Sequence, residues 1–243
     1  MNVNVIEVDS KVFGKPVLEI ENFDSLSDLI SFEKIYIKTL NPFYVSCKIP
    51  LEDLHAIHKL EEIGFNLIEC QIKSNIKLKK LYDVSMFNNY TFEKVTCEKN
   101  LAEIINISKN TFVHDRFNVD AKIPKELASK RYQEYIVQSF YSKNDSVFSL
   151  KDNTDNKIVA FKTHRQLTES HMLLLLGGVH LDYKGLGIGA INEYYEFNYL
   201  IRHGIKKATT HISAVNYPIF NMEIGKLGFR VEKVFAVMRK IYN

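Results

Sequence analysis

The chain has 243 residues, 46% of them hydrophobic and 25% charged, which is enough for one large or two small domains with a substantial core. Its 32 basic and 29 acidic residues nearly balance at a formal net charge of +3, and no aromatic-plus-basic module is present, so we expect no nucleic-acid partner. The longest apolar run, Met172–Leu176, is too short to cross a membrane, the N-terminus lacks the order of a signal peptide, and the cysteines lack metal-ligand spacing. We therefore predict a soluble cytoplasmic protein with free thiols, no membrane partner and no metal.

The first 85 residues have the pattern of a small α/β unit. We predict strands over Val3–Val8, Pro16–Ile20, Ile35–Lys38 and Phe43–Ile49. An amphipathic helix follows and ends at Gly64, and Phe65–Ile72 then alternates like a half-buried strand. From Lys73 this order is lost in a lysine-rich stretch that is typical of a solvated linker. We place a domain boundary in this region, with an N-terminal domain over residues 1–85 and a larger domain over residues 86–243.

The larger domain alternates strands and helices. We predict its strands at Tyr90–Cys97, Ser146–Asp152, Lys157–Thr163, His171–Leu181, Ala208–Ser213 and Phe229–Ile241. We predict its helices at Leu101–Asn110, Lys125–Phe140, Ile188–His203 and Pro218–Lys226. The order β-α-α-β-β-β-α-β-α-β indicates an α/β fold, with a mixed sheet and helices on both faces.

The segment between the strand His171–Leu181 and the next helix is rich in glycine. Gly185, Gly187 and Gly189 alternate with other residues just before that helix. Such glycines let backbone N–H groups approach a ligand, and the positive end of a helix adds to them, so the junction predicts an anion site suited to a pyrophosphate.

Three interpretations compete for this loop. A dinucleotide-binding fold requires G-x-G-x-x-G and an acidic residue at the end of the next strand, whereas the spacing here is G-x-G-x-G and Ala208–Ser213 has no such residue. A P-loop requires Lys-Ser/Thr, which does not follow. A tight strand-to-helix turn without any ligand remains the alternative.

Two motifs in order resolve the choice. The sequence Lys184–Gly189 resembles the (Arg/Gln)-x-x-Gly-x-Gly/Ala signature of the GCN5-related N-acetyltransferase (GNAT) superfamily, with Lys184 where Arg or Gln is usual. About thirty residues later, Asn216 and then Lys226–Phe229 (KLGF) resemble the second signature of that superfamily. The resemblance implies a GNAT fold, with a central mixed, mostly antiparallel sheet flanked by helices, after the smaller N-terminal domain.

The resemblance can be narrowed. Phe13-Gly14, the segments Tyr44–Ile49 and Leu60–Glu69, and Phe112–Phe117 (FVHDRF) look like the dTDP-fucosamine acetyltransferase group. This implies an enzyme of surface-polysaccharide (O-antigen, lipopolysaccharide) precursor synthesis. It would move an acetyl or larger acyl group from acyl-CoA to the amine of a dTDP-linked 3-amino or 4-amino sugar. Sheets of the superfamily often pair, so a homodimer is one option, although no segment of the sequence requires it.

The resemblance also implies the residues that hold acyl-CoA. Main-chain groups after the strand would bind the pyrophosphate and the pantetheine arm, and Asn216 would contact the same arm unless it is only a helix cap. Phe220 is as compatible with a core position. The implied set is Val179, Leu181, Lys184, Gly185, Leu186, Gly187, Ile188, Gly189, Ala190, Asn216, Phe220 and Asn221.

The groups that transfer protons are less well defined. The tyrosine that usually protonates the thiolate lies four residues before the Gly of "GF", where this chain has Ile224, and counting six residues from Asn216 gives Met222. Tyr217 is our candidate acid and His211 our candidate base, with a buried tyrosine, a structural histidine or a water chain as alternatives.

His114 and Arg116 are the candidate acceptor residues, because Arg116 has the chemistry to pair with a substrate phosphate. It can equally be a surface ion-pair partner. Two other functions remain open: a GNAT acting on an amino acid, a polyamine or a protein N-terminus, and a catalytically silent acyl-CoA-binding protein.

Overall fold

The computed structural model describes residues 1–23 and 25–242, and its framework is a sheet of ten strands. In chain order the strands are β1 (Asn2–Val5), β2 (Val17–Asn22), β3 (Tyr44–Pro50), β4 (Asn66–Lys77), β5 (Tyr90–Lys94), β6 (Asp145–Asp152), β7 (Lys157–Thr168), β8 (His171–Val179), β9 (Lys207–Ser213) and β10 (Arg230–Ile241). Their order across the sheet is β1-β2-β3-β10-β4-β9-β8-β7-β6-β5. Neighbours are antiparallel except for the parallel pairs β2–β3 and β8–β9. The predicted mixed, mostly antiparallel sheet is confirmed.

Helices cover both faces of this sheet. They are α1 (Glu7–Phe13), α2 (Leu26–Phe32), α3 (Lys38–Leu40), α4 (Leu54–Glu62), α5 (Glu98–Ser108), α6 (Arg116–Val119), α7 (Lys125–Tyr141), α8 (Ile188–Arg202) and α9 (Tyr217–Met222). On one side, called the α7 face, Ile104 and Ile136 pack with Phe161. On the other side, called the α8 face, Ile188 and Ile191 pack on Ala160.

Strand β4 joins the two predicted domains. It lies between β10 and β9 and is antiparallel to both, so residues before the predicted boundary supply a strand in the middle of the sheet. The prediction of a linker from Lys73 was wrong for its first part, because β4 continues to Lys77. There the lysines alternate with buried Ser74 and Ile76. The division into residues 1–85 and 86–243 stays a prediction.

Two predicted strands are helical in part or in whole. Within Val3–Val8, β1 ends at Val5 and α1 begins at Glu7. The predicted strand Ile35–Lys38 lies in a π-helical turn, Glu33–Ile37, that continues α2, and in the first residue of α3. Its Tyr36 ring stacks on Phe32 with 5.4 Å between ring centroids. A four-residue window could not reveal that helical spacing, which becomes visible only together with α2.

Within the described part of the chain, no helix combines the length and the apolar character that a membrane span requires.

Candidate functional site

The sheet opens between β8 and β9, which form one of its two parallel pairs. β8 and β9 are paired only over His171–Leu173 and Lys207–Thr209, and their remaining lengths separate. On its other side, β8 pairs Leu174 with His164 and Leu176 with Thr163, so Leu175 is an extra residue and forms a bulge. A bulge bends its strand, and here it accompanies the opening between the ends of β8 and β9.

The loop at the end of β8 depends on two glycines. After a 3₁₀ turn over Leu181–Tyr183, Gly185 and Gly187 both have φ of +81°, and Gly187 is the N-cap of α8. A Cβ at either glycine would meet nothing within 4 Å, so the left-handed backbone, and not lack of space, requires glycine at both positions.

Backbone donors collect at this turn. The amides of Gly187, Ile188 and Gly189 have no hydrogen-bond acceptor among the described residues, whereas those of Leu186 and Ala190 donate to Tyr183 and Gly187. Unpaired amides at the start of a fifteen-residue helix favour an anion. The predicted donors Leu186 and Ala190 are therefore occupied, and their neighbours carry the free N–H groups.

Lys184 ties the loop to the neighbouring helix. Its Nζ donates a hydrogen bond of 3.1 Å to the carbonyl of Asn110, just beyond α5. A cavity of about 200 Å³ lies beside this contact and is lined by residues that include Asn106, Val179 and Leu181. The end of β8 and the C-terminal end of α5 thus share one polar recess.

The residues predicted from the second motif surround the start of α9. Asn216 is the N-cap of α9, but its side chain makes no capping hydrogen bond. Phe220 is half-buried and Asn221 is exposed. Tyr217 is 64% exposed, which places its hydroxyl outside the core.

The helix changes type immediately after α9. Residues Glu223–Leu227 form a π-helical turn. Ile224, the position of the expected acid, and Met222 pack against an apolar cluster that contains Phe197 and Leu227. Glu223 is only 5% exposed. Sequence reasoning missed Glu223, because a count in α-helical turns gives Ile224.

Five ionisable side chains form an acidic cluster on the α8 face: Lys162 and His164 of β7, Glu193 and Glu196 of α8, and Glu223. Lys162 pairs with Glu193, and its Nζ lies 3.0 Å from Glu196 Oε2. His164 Nε2 bonds the other oxygen of Glu196. Four of the five side chains are at least nine-tenths buried and the side chain of Lys162 is 12% exposed, so burial and the charges within the cluster together decide their protonation.

The pKa values of the three carboxyl groups in the acidic cluster shift in opposite directions. Burial raises the pKa of Glu193 well above its ordinary value and raises the pKa of Glu223 to about 7. Burial would also raise the pKa of Glu196, but Lys162 and His164 lower it to about 2. Three carboxyl groups share one lysine, so protons remain in this cluster near neutral pH.

The acidic cluster reaches the opening. Gly177 of β8 is exposed, and a Cβ there would lie 3.3 Å from Lys162 Nζ. Sequence gave no signal of this cluster, because its members come from three distant segments.

A second polar group, the basic cluster, lies on the α7 face and comprises Lys48, Glu69, Arg116 and His211. Arg116 Nη1 lies 3.6 Å from Glu69 Oε2, and Arg116 Nε is buried without a hydrogen-bond partner among the described residues. Burial and Arg116 lower the pKa of Lys48. Loss of hydration where the ring of His211 is covered, together with the charges of Lys48 and Lys73, lowers the pKa of His211 to about 4. The rest of the His211 side chain is exposed. His211 is therefore neutral near pH 7.

The structure separates the two predicted acceptor residues. Arg116 joins the basic cluster at the start of α6. His114 is exposed, and it has no hydrogen bond or ion pair in the part of the chain that the structure describes.

The fold is similar to that of solved GCN5-related N-acetyltransferases. A GCN5-related N-acetyltransferase from Sphaerobacter thermophilus superposes with a TM-score of 0.69 at 13% identity, over 98% of this chain and 76% of that one. A tandem GNAT protein from the clavulanic acid biosynthesis pathway gives 0.65 at 10% identity, over 94% and 76%. The GCN5-related glucosamine N-acetyltransferase region of a fungal multi-domain GH3 β-N-acetylglucosaminidase gives 0.65 at 12% identity, over 98% and 31%.

No protein-family model and no curated protein sequence matches the chain. At these identities the solved structures establish a common fold. The opening between β8 and β9 and the glycine turn that follows β8 then define the candidate site within it.

Proposed function

We propose that the chain is an acyl-CoA-dependent N-acyltransferase. The observation that carries this proposal is the row of free amides at Gly187, Ile188 and Gly189, placed at the mouth of the opening between β8 and β9. A pyrophosphate is the anion that suits this row, since three N–H groups and the start of α8 converge there.

The opening accommodates an extended arm behind that pyrophosphate. Beyond Leu173, β8 does not pair with β9, so main-chain groups up to Val179 are available to an amide-containing chain such as pantetheine. Asn216 follows the end of β9, and its side chain makes no capping hydrogen bond. It is therefore available to the same arm from the β9 side of the opening. The exposed backbone at Gly177 leaves room for the thioester.

The reaction is a direct transfer within a ternary complex. The acceptor amine attacks the thioester carbonyl carbon, the nitrogen–carbon bond forms, and the carbon–sulfur bond breaks with its electron pair on sulfur. An unpaired backbone N–H of β8 stabilises the developing oxyanion. His211 is neutral and next to the opening, so it can receive the proton of the amine directly or through water.

The acceptor in this proposal is a nucleotide-linked amino sugar, such as a dTDP-linked 3-amino or 4-amino sugar. The basic cluster supports an anionic acceptor, because Arg116 lies beside Lys48 as well as Glu69, and Arg116 Nε is buried without a hydrogen-bond partner among the described residues. One structural neighbour is described as a glucosamine N-acetyltransferase region, which supports an amino sugar within this fold. Sugar nucleotides are cytoplasmic metabolites, so the proposal places the protein there; a homodimer stays a prediction.

The test is acyl transfer with a panel of acceptors. The protein is incubated with acetyl-CoA or butyryl-CoA and with dTDP-linked amino sugars, free amino acids, polyamines or peptides, and CoA thiol release is followed with a thiol reagent. Cys97 is exposed and would react, so the assay uses a Cys97→Ser background.

Each outcome has a defined meaning. Thiol release that requires a dTDP-linked amino sugar supports the full proposal. Release only with amino acids, polyamines or peptides contradicts the acceptor but keeps the acyltransferase. Tight acetyl-CoA binding without release on any acceptor contradicts catalysis and favours a silent binding protein.

A further inference from the structure

The π-helical turn after α9 changes which side chain is buried beside the acidic cluster. The N–H of Gly228 donates to the carbonyl of Glu223, an i to i−5 bond, and the N–H of Phe229 also donates to it at 3.0 Å. In an α-helix, the residue one turn before Gly228 would be Ile224. The extra residue of the π turn puts Glu223 there instead.

The packing around Glu223 agrees with this shift. Met222 and Ile224 turn into the apolar cluster with Phe197, whereas the carboxyl group of Glu223 lies among the charged groups of the acidic cluster. Glu223 is 5% exposed, and its Oε2 is buried without a hydrogen-bond partner among the described residues. A buried oxygen without a hydrogen bond costs desolvation free energy, and an acidic proton held for catalysis is one explanation for such a group.

The acidic cluster supplies the environment of an acid. The other members of the cluster are Lys162 and His164 from β7 and Glu193 and Glu196 from α8. Lys162 is paired with Glu193 and Glu196, so no cation among the described residues makes an ion pair with Glu223. Burial therefore raises the pKa of Glu223 to about 7, with Glu196 raising it and Lys162 lowering it, and much of it is protonated at neutral pH.

We propose that Glu223 is the proton donor to the thiolate that leaves acyl-CoA. The inference rests on the proposed acyltransferase function and deepens it. As the carbon–sulfur bond breaks, the electron pair stays on sulfur and takes the proton of the Glu223 carboxyl group, which gives CoA thiol and a carboxylate. Solvent protons then restore the acid, and the proton of the amine leaves on the α7 face.

The test compares two conservative variants of the same cluster. Glu223→Gln keeps the size and the neutral hydrogen-bonding surface but has no acidic proton. We expect kcat to fall about 100-fold, at the lower end of what general acid catalysis supplies, with an unchanged Kd for acetyl-CoA. The decline of kcat above about pH 7 should disappear from the pH profile of the variant. Glu193→Gln removes a neighbouring carboxyl group of the same cluster, and this variant should keep the decline of kcat above about pH 7.

Different outcomes test the role of Glu223 and the proposed acyltransferase function. Equal losses in both variants would mean that Glu223 acts only through cluster integrity, and an unchanged kcat or pH profile in Glu223→Gln would also overturn its role. Absence of transfer by the wild type on every acceptor would overturn the acyltransferase itself. Calorimetry of CoA binding at pH 7 in buffers of different ionisation enthalpy adds a readout without turnover. The wild type should exchange protons on binding and Glu223→Gln should not; equal exchange contradicts the proposal.

Discussion

The two polar clusters on opposite faces of the sheet differ in composition, because acidic groups are in excess in one and basic groups in the other. In the acidic cluster on the α8 face three glutamates share one lysine and one histidine, whereas in the basic cluster on the α7 face Lys48 and Arg116 accompany Glu69. Both clusters lie beside the opening between β8 and β9. The difference indicates a division of work, in which the acidic side holds protons for a leaving group and the basic side attracts an anionic acceptor.

Removing the lysine of the acidic cluster is the largest expected disruption. Lys162→Met leaves three buried carboxyl groups without their cation, so we expect unfolding free energy to fall by about 3–5 kcal/mol, measured in urea. The double variant Lys162→Met/Glu196→Gln should recover part of this loss. Lys157→Met, which breaks an exposed pair with Asp182 and a contact with the face of the Tyr183 ring, is the control and should leave the urea midpoint almost unchanged. Equal midpoints for Lys162→Met and the wild type would contradict the buried network.

Removing the arginine of the basic cluster should affect the acceptor only. Arg116→Met keeps the aliphatic length but loses a charged hydrogen-bond donor, so KM for the acceptor should rise about 10- to 100-fold. The Kd of acetyl-CoA, measured by calorimetry, should stay constant. Arg165→Met removes an arginine that pairs with the buried Asp145 outside both clusters, and it should alter neither value. A parallel loss of acetyl-CoA affinity in Arg116→Met would refute the division between the two faces.

The pH dependence of the unfolding free energy should reveal the buried acid Glu223 of the acidic cluster. Because the pKa of Glu223 is raised to about 7 in the folded protein, its contribution is fully present below its unfolded pKa and is lost as the pH rises through about 7. The wild type should therefore lose about 2–3 kcal/mol relative to Glu223→Gln between pH 5 and pH 8.

The exposed Glu232 is the control for that pH dependence. The hydrogen bond from Lys73 lowers its pKa, so any contribution from Glu232 is lost on acidification instead. Urea melts of Glu232→Gln across the same range should show the opposite sign or no change. A constant difference between the wild type and Glu223→Gln across this range would argue against a buried titrating acid.

The smallest expected effect is on acetyl-CoA binding, and it comes from comparing Gly187 before α8 with Gly204 after the same helix. Gly187 and Gly204 both have φ of +81° and open space around a Cβ, so alanine at either position should cost about 1 kcal/mol of stability. Only Gly187→Ala should also weaken acetyl-CoA binding, by about fivefold, because only its strain displaces the free amides. Equal affinities of the two variants in calorimetry would remove the turn from the binding site.

The sequence predicted those features that depend on local order. The glycine spacing and the two motifs predicted the turn before α8, and alternation predicted most strands of the sheet. The positive φ of Gly187 follows from the same local rules. Helix α6 and the helical turn at Glu33–Ile37 escaped prediction because they are too short for a periodic signal.

The features that the sequence did not predict depend on distant contacts or on an added residue. Glu223 was hidden by the π turn, since counting from Gly228 assumed α-helical geometry. The acidic cluster joins β7, α8 and the turn after α9, and no spacing in the sequence relates Lys162 to Glu193. The occupied amides of Leu186 and Ala190 also required coordinates, because residue types do not reveal hydrogen-bond partners.

The position of β4 between β9 and β10 has a consequence for the order of folding. Its two partners are more than 120 residues later in the chain, so the middle of the sheet can form only after nearly the whole polypeptide has been synthesised. Loop closure over such separations is slow and leaves strand edges unpaired in the meantime. We expect the nascent chain to remain dependent on chaperones until β10 arrives and completes the sheet.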